Sequence, residues 1–494
     1  KNRFTNWRIT MQFIFFNDAV KALSLATLIF TASIAHATEQ EKITTLDDQH
    51  SVAVTIYNEN LALIKDQRTI DLNSGFNLLA FRGVSATMRP ETSLLRNINN
   101  TRGLSILEQN FDFDLLTPQK LLEKYVGKEI NIATMNPITG EEIIEQATVL
   151  STNQGVVVKI GNRIETNPRG RYIFDKVPEN LRDQPTLVIQ LNSQSSKPQD
   201  VELSYLTSGL SWKADYVAEL NADDTKLDLM GWVTLNNKSG TTYKDAKLQL
   251  VAGDVNVVKH DFRQRRDNRP MAAMKSVIAE DSMSEESLFE YHLYSLNRLT
   301  TLSNNQTKQV SLLTAAQVPV NKEFLLQGAP YYYQSSYGNI GQKLKVGVYV
   351  EFKNKEHSGL GLPLPKGIVR VYKKDKSGNA QYIGEDKIDH TPKNEDVRLK
   401  LGDAFDITAD KKQSNFEKRN AYGKYNHAFE SAYEIKLKNA KSEAVTVVVR
   451  EPVPGDWKML EQSHPFKKVA AGTAEWHIEV PAESSTTLNY NVLV

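Results

Sequence analysis

The most regular pattern in the chain runs from Leu203 to Asp254. Trp212, Ala214, Tyr216, Ala218 and Leu220 alternate there with Ser211, Lys213, Asp215 and Glu219. A period of two is what a strand with one buried face requires. A polar break at Asn221–Asp224 precedes a second run in which Leu227, Leu229, Val233 and Leu235 share a face. After Asn236–Gly240 a third run holds Leu248 and Leu250. Three strands joined by turn residues predict an antiparallel meander, with Trp212 and Tyr216 as core anchors.

The same period returns at Val52, Val54 and Ile56, at Leu187, Ile189 and Leu191, and at Leu344, Val346, Val348, Val350 and Phe352. It returns again at Tyr433, Ile435 and Leu437, at Val445, Val447 and Val449, and at Leu488, Tyr490 and Val492. Tyr372–Tyr382 reads as a hairpin around Asp375–Gly378. One helix is predicted at Thr117–Tyr125, with Thr117 as N-cap, Pro118 at the first helical position and Gly127 past the end. Between Lys128 and Asn167 short strands crowd together, as in a small barrel or twisted sheet. The expected fold is mainly β, built of antiparallel β-sandwich domains that are immunoglobulin-like in the C-terminal part. The N-terminal part adds the small barrel or sheet and the helix. Residues 38–50 read as a flexible lead-in, 51–200 as an N-terminal β-rich domain and 201–494 as a C-terminal sandwich region. Within the latter, residues 263–287 are poor in β-formers and read as a mobile insertion, through which assembly by ordering on binding is one conceivable role.

Composition adds an address. The first 37 residues carry Lys1, Arg3, Arg8 and Lys21, an apolar run at Ala22–Ile34 and the small-x-small ending Ala35-His36-Ala37, the layout of a signal peptide. No apolar run approaches the roughly 20 residues of a spanning helix, so no transmembrane anchor is expected. The product is expected in the periplasm, or secreted. Without residues 1–37, 60 basic against 59 acidic residues become 56 against 58, which gives no electrostatic reason to expect nucleic acid as a partner. There are 0 cysteines, which excludes a thiolate metal site, a cysteine nucleophile and a lipidated cysteine.

Candidate chemistry is sparse. Gly209-Leu210-Ser211-Trp212-Lys213 lacks the second glycine of a nucleophile elbow and opens a strand, so no catalytic residue is assigned. The histidines are scattered, without the paired spacing of a zinc helix, and no cofactor is expected. Asp403, Asp406 and Asp410 are candidate hard-metal ligands, although they do not follow an EF-hand loop; the alternative is carboxylates on the solvent side of edge strands. Tyr331, Tyr332, Tyr333 and Tyr337, flanked by Gly328, Pro330 and Gly338, are candidate binding residues. Consecutive tyrosines in a strand face both ways, so one at least is expected at the surface, as a platform for a sugar or a protein; the alternative is burial between sandwiches.

LTSGLSWKADYVAEL, GWVTLNN, LQLVAGDVN, FEYHLYSL at Phe289–Leu296, PLPKGIVRVYKKDKSG at Pro363–Gly378 and VRLKLGDAFDI at Val397–Ile407 together resemble an exported bacterial family. It is known as domain of unknown function 4139, with relatives called mucoidy inhibitor A, and the resemblance spans Ser51 to the C-terminus. It implies a β-rich, exported protein without established enzymatic activity, and it brings no catalytic residues. Larger relatives carry a long coiled coil; this chain has only the Thr117 helix in that region and resembles a short form. The expectation is therefore an exported, non-catalytic cell-envelope protein, a binding or structural module with an envelope protein or glycan as partner. The alternative is a polysaccharide-acting hydrolase or lyase using an acid- and tyrosine-lined interdomain cleft.

Overall fold

The computed structural model describes residues 41–58, 60–178, 181–253, 255–256, 283–422 and 425–494. The expected signal peptide and residues 263–282 of the expected insertion lie outside the described residues. The fold is mainly β, with four open sheets. Leu210–Leu220 and Lys226–Asn237 form the predicted hairpin, with Trp212 opposite Leu235 and Tyr216 opposite Gly231. The five alternating residues Trp212, Ala214, Tyr216, Ala218 and Leu220 are all buried.

The third strand of the expected meander goes elsewhere. Tyr243–Ala252 runs parallel to Gln49–Tyr57, from Lys247 opposite Ala53 to Val251 opposite Tyr57. Before the hairpin, Gln199–Thr207 lies between Leu61–Ile70 and Leu94–Asn97. The hairpin thus belongs to one sheet and its two flanking strands to another. The crossing point is Gly209, at φ 81°. A Cβ there would sit 2.7 Å from the Ser239 Cα, so only glycine lets the outgoing and returning chains pass. Alternation reports which face of a strand is buried and says nothing of its neighbour, which is why the pattern predicted a meander.

The expected division at 200/201 is corrected for the same reason. It falls inside Gln199–Thr207, and the eight-stranded sheet interleaves early and late strands: Ser284–Leu288, Tyr291–Ser295, Tyr243–Ala252, Gln49–Tyr57, Leu61–Ile70, Gln199–Thr207 and Leu94–Asn97 in order, with Thr300–Leu302 beside Tyr243–Ala252. Ser284–Leu288 also shows that the end of the expected mobile insertion is a paired strand. The lead-in is ordered from residue 41. Lys42–Thr44 pairs with Gly75–Arg82, a capping box at Thr45 and Asp48 follows, and Glu41 accepts two hydrogen bonds from Arg182 at 2.8 Å.

The helix Pro118–Lys124 forms as predicted, Thr117 accepting from the Lys120 N–H at 3.1 Å. It covers an open five-stranded sheet through Leu122 and Tyr125, against Ile130, Ile132, Ala147, Val149, Val158 and Ile160.

The largest sheet has thirteen strands. Three of its long strands are Gln306–Gln327, Asn339–Lys353 and Asp396–Tyr422, of 22, 15 and 27 residues. Each serves two cores. Val397 and Leu399 join Trp212, Tyr216, Leu248 and Ile56 in the first, while Ile407 and Ala409 join Tyr433, Trp476 and Tyr490 in the second. Asp215 is 7% exposed because the parallel strand Gly367–Lys374 brings Arg370 within 3.1 Å, while the Thr234 hydroxyl donates to it at 2.7 Å.

A fragment spanning 201–494 alone is expected to leave Tyr243–Ala252 and Gln199–Thr207 without their inner neighbours. It should bind a hydrophobic dye and be cut rapidly by protease, whereas co-expression with residues 38–200 restores a cooperative unfolding transition. A fragment that unfolds cooperatively by itself would restore the boundary at 200/201.

Candidate functional site

The tyrosines do not lie in a strand, which corrects the basis of that expectation. Pro330–Tyr333 is one turn of 3-10 helix that starts on proline. With about three residues per turn, successive side chains splay about 120° apart. Tyr331 therefore points to solvent at 53% exposure, Tyr332 lies half-buried and Tyr333 enters the second core. Tyr337 folds back so that the rings of Tyr331, Tyr332 and Tyr337 pack edge to face, with centroids 4.6, 5.9 and 6.1 Å apart. Burial, followed by a side-chain hydrogen bond with Tyr331 that favours the protonated hydroxyl, pushes Tyr332 up to about 12.

Beneath the trio lies a buried ion pair. Lys411 Nζ contacts Glu451 Oε1 at 2.6 Å, with the two side chains 2% and 0% exposed. The other carboxylate oxygen accepts from the Tyr333 hydroxyl at 2.9 Å, and Tyr333 shares a hydrogen bond with Tyr490 at 3.0 Å. The Lys411 ammonium also lies 4.6 Å from the Tyr332 ring centre and 5.1 Å from that of Tyr433. Gln413 closes the arrangement: its carbonyl accepts from the Tyr337 N–H at 2.7 Å and its amide donates to the Ser335 carbonyl at 3.1 Å. Gly328 is required by contact, since a Cβ there would stand 2.1 Å from Glu451 Oε2.

A groove of about 410 Å³ opens next to Tyr337, lined by Gly338, Asn339, Gln342, Asp410, Lys412, Glu434 and Lys436 together with Lys411 and Gln413. Two ion pairs engage charged groups of its lining. Lys412 meets Glu434 at 3.0 Å and Lys438 meets Asp410 at 2.5 Å. The hydrogen bond from Lys438, then that from the Lys343 N–H, holds the Asp410 carboxyl below the usual carboxylate range.

Asp403, Asp406 and Asp410 are not brought together as metal ligands. They share one strand, whose pairing shifts register between Asp403 and Thr408. Asp403 faces Lys345 at 3.4 Å, Asp410 faces Lys438, and the Asp406 carbonyl accepts from the Ala440 N–H at 2.8 Å. Among the described residues no group of three or more histidine, aspartate and glutamate side chains gathers as a metal site. Ser211 sits in strand pairing opposite Asn236. His292 and His477 face Glu285 and Glu475 at 2.7 and 3.0 Å.

Lys411, Gln413, Glu451 and Tyr490 were missed as site residues, yet a signal existed. Ile407, Ala409, Lys411 and Gln413 share one parity, as do Val445, Val447, Val449 and Glu451. A charge that continues a buried alternation calls for a buried partner.

The fold and this site define a mainly-β protein of several sheets that carries an aromatic and polar groove over a buried ion pair. Residues 201–494 match the family described as Domain of unknown function (DUF4139), and the chain belongs to that family. No curated protein matches the chain. No helix among the described residues is long and apolar enough to cross a membrane.

Removing one member of a buried pair strands the other charge, at a typical cost of about 3–5 kcal/mol. Lys411→Met and Glu451→Leu are each expected to destabilise in that range by urea unfolding, and the double variant should lose less than the sum. Additive losses would show that the pair is uncoupled.

Proposed function

We propose that the chain is an exported, non-catalytic cell-envelope protein that binds an envelope glycan across the tyrosine-edged groove. The observation that carries this reading is the placement of Tyr331 and Tyr337, exposed at 53% and 42%, beside a groove rich in amides and paired charges. Aromatic faces offer sugar C–H groups an apolar contact, and Asn339, Gln342, Lys412 and Glu434 offer hydroxyls donors and acceptors. The platform is rigid, because Lys411, Gln413 and Tyr433 hold it from below, so little ordering cost is added on binding.

The groove's acids favour binding over turnover. A glycosidase needs one carboxyl that stays protonated to serve as general acid. Asp410 is held ionised by Lys438, and Glu434 is engaged by Lys412. Export rests on the charged, apolar and Ala-x-Ala layout of residues 1–37.

Electrophoresis in gels containing envelope polysaccharide is expected to retard the protein, and Tyr331→Ala/Tyr337→Ala should weaken that retardation about tenfold without lowering the melting temperature. Equal retardation of the double variant would remove the groove from the account. Release of reducing ends that is lost in Asp410→Asn would establish the hydrolase alternative instead. The mature protein in a periplasmic fraction should begin at Thr38 by N-terminal sequencing; an intact N-terminus on a cytoplasmic product would overturn export.

A further inference from the structure

The thirteen-stranded sheet curls until its edge strand Ala380–Ile388 meets Asp396–Tyr422, where the Lys400 N–H donates to an Asp386 carboxylate oxygen at 2.7 Å. At this curl lies a pocket of about 270 Å³ that shares no lining residue with the tyrosine groove. Its apolar walls are Leu220, Val348, Val350, Ile383 and Leu401, contributed by four different strands. Val350 is part of the first core, whereas Ile383 is 37% exposed. The pocket therefore runs from core to solvent along aliphatic side chains.

Its polar lining holds two lysines, Lys322 and Lys373, and two aspartates, Asp224 and Asp403. Lys322 and Lys373 both reach Asp224, Lys322 at 2.8 Å. Two ammonium groups thus share one carboxylate, and each carries three donors, so one positive charge and spare donors remain. Asp403, the other carboxylate of the lining, is engaged by Lys345 at 3.4 Å and Lys400 at 3.8 Å. Asp224 itself is fixed in the left-handed region at φ 56°, a conformation that aspartate adopts more readily than most residues.

We infer that this pocket binds a small amphiphile, a medium-length aliphatic chain bearing an anionic head. The head would take the spare donors of Lys322 and Lys373, and the chain would lie against Val348, Ile383 and Leu401. The volume equals roughly nine water-sized groups, which fits a ligand of about ten non-hydrogen atoms such as octanoate. The size is at the small end for ligand pockets, so affinity is modest.

The full chain is to be titrated with octanoate, octyl phosphate and octyltrimethylammonium by calorimetry and ligand-observed NMR. The two anions are expected to bind with dissociation constants on the order of 1 mM or tighter, and the cation at least about fivefold more weakly. Tighter binding of octyl phosphate than of octanoate would assign a phosphate head, and the reverse a carboxylate. Ile383→Glu, at a partly exposed wall position, should abolish binding with the melting temperature unchanged, and Lys373→Gln should weaken it about fivefold. Val348→Trp, which fills the pocket, is the second abolishing variant should Ile383→Glu destabilise the fold. Equal binding of all three head groups, binding that survives both pocket variants, or no binding of either anion in the millimolar range would each overturn the inference.

Discussion

The parallel pairing of Lys247–Val251 with Ala53–Tyr57 is the constraint on which the first core depends. It lays the flanking strands of the central hairpin over the hairpin's own apolar face, so that Trp212 and Tyr216 meet Ile56 and Leu248 instead of water. Such a pairing closes a loop of nearly two hundred residues. The entropy of closure rises only slowly with length, so equilibrium stability tolerates the arrangement, while folding rate falls as contacts become less local. Strands near residue 50 are completed only when strands near residue 250 arrive, which makes one cooperative body out of what looks in sequence like two.

The second core follows a different logic. Its centre holds a lysine and a glutamate that continue strand alternations otherwise composed of Ile, Ala and Val. A buried pair is poor evidence of stability, since desolvation offsets most of the attraction. What Lys411 and Glu451 supply is direction. Glu451 accepts from the Tyr333 hydroxyl and the Lys411 ammonium lies under the Tyr332 ring, so both address the turn at Pro330–Tyr333.

Much of the fold was legible because alternation is a local property. The Trp212 hairpin, the Thr117 helix and the Asp375 turn each depend on residues within about thirty positions of one another. Pairing is not local, and the crossing at Gly209 carries no mark that separates it from an ordinary bend. Asp215 illustrates the limit: its parity assigned it to solvent, but Arg370 arrives from 155 positions away and encloses it. The tyrosine cluster was visible as composition, and Pro330 marked its turn, since proline favours the first position of a helical turn. Reading it as a strand hid the threefold splay. The acids at 403, 406 and 410 looked like a cluster because sequence distance is short; Asp403 is paired with Lys345 and Asp410 with Lys438, and no metal site gathers there among the described residues.

The 27-residue strand Asp396–Tyr422 has Val397 and Leu399 in one core and Ile407, Ala409 and Lys411 in the other. A slip of one residue within either stretch would turn the buried side chains of that stretch outward. The pairing shifts register between Asp403 and Thr408, so each core sets the register of its own stretch of the shared strand. The anionic-ligand pocket at Leu401 and the tyrosine base at Lys411 and Gln413 lie on this one strand, on either side of that shift, so the irregularity separates two sites that share a backbone.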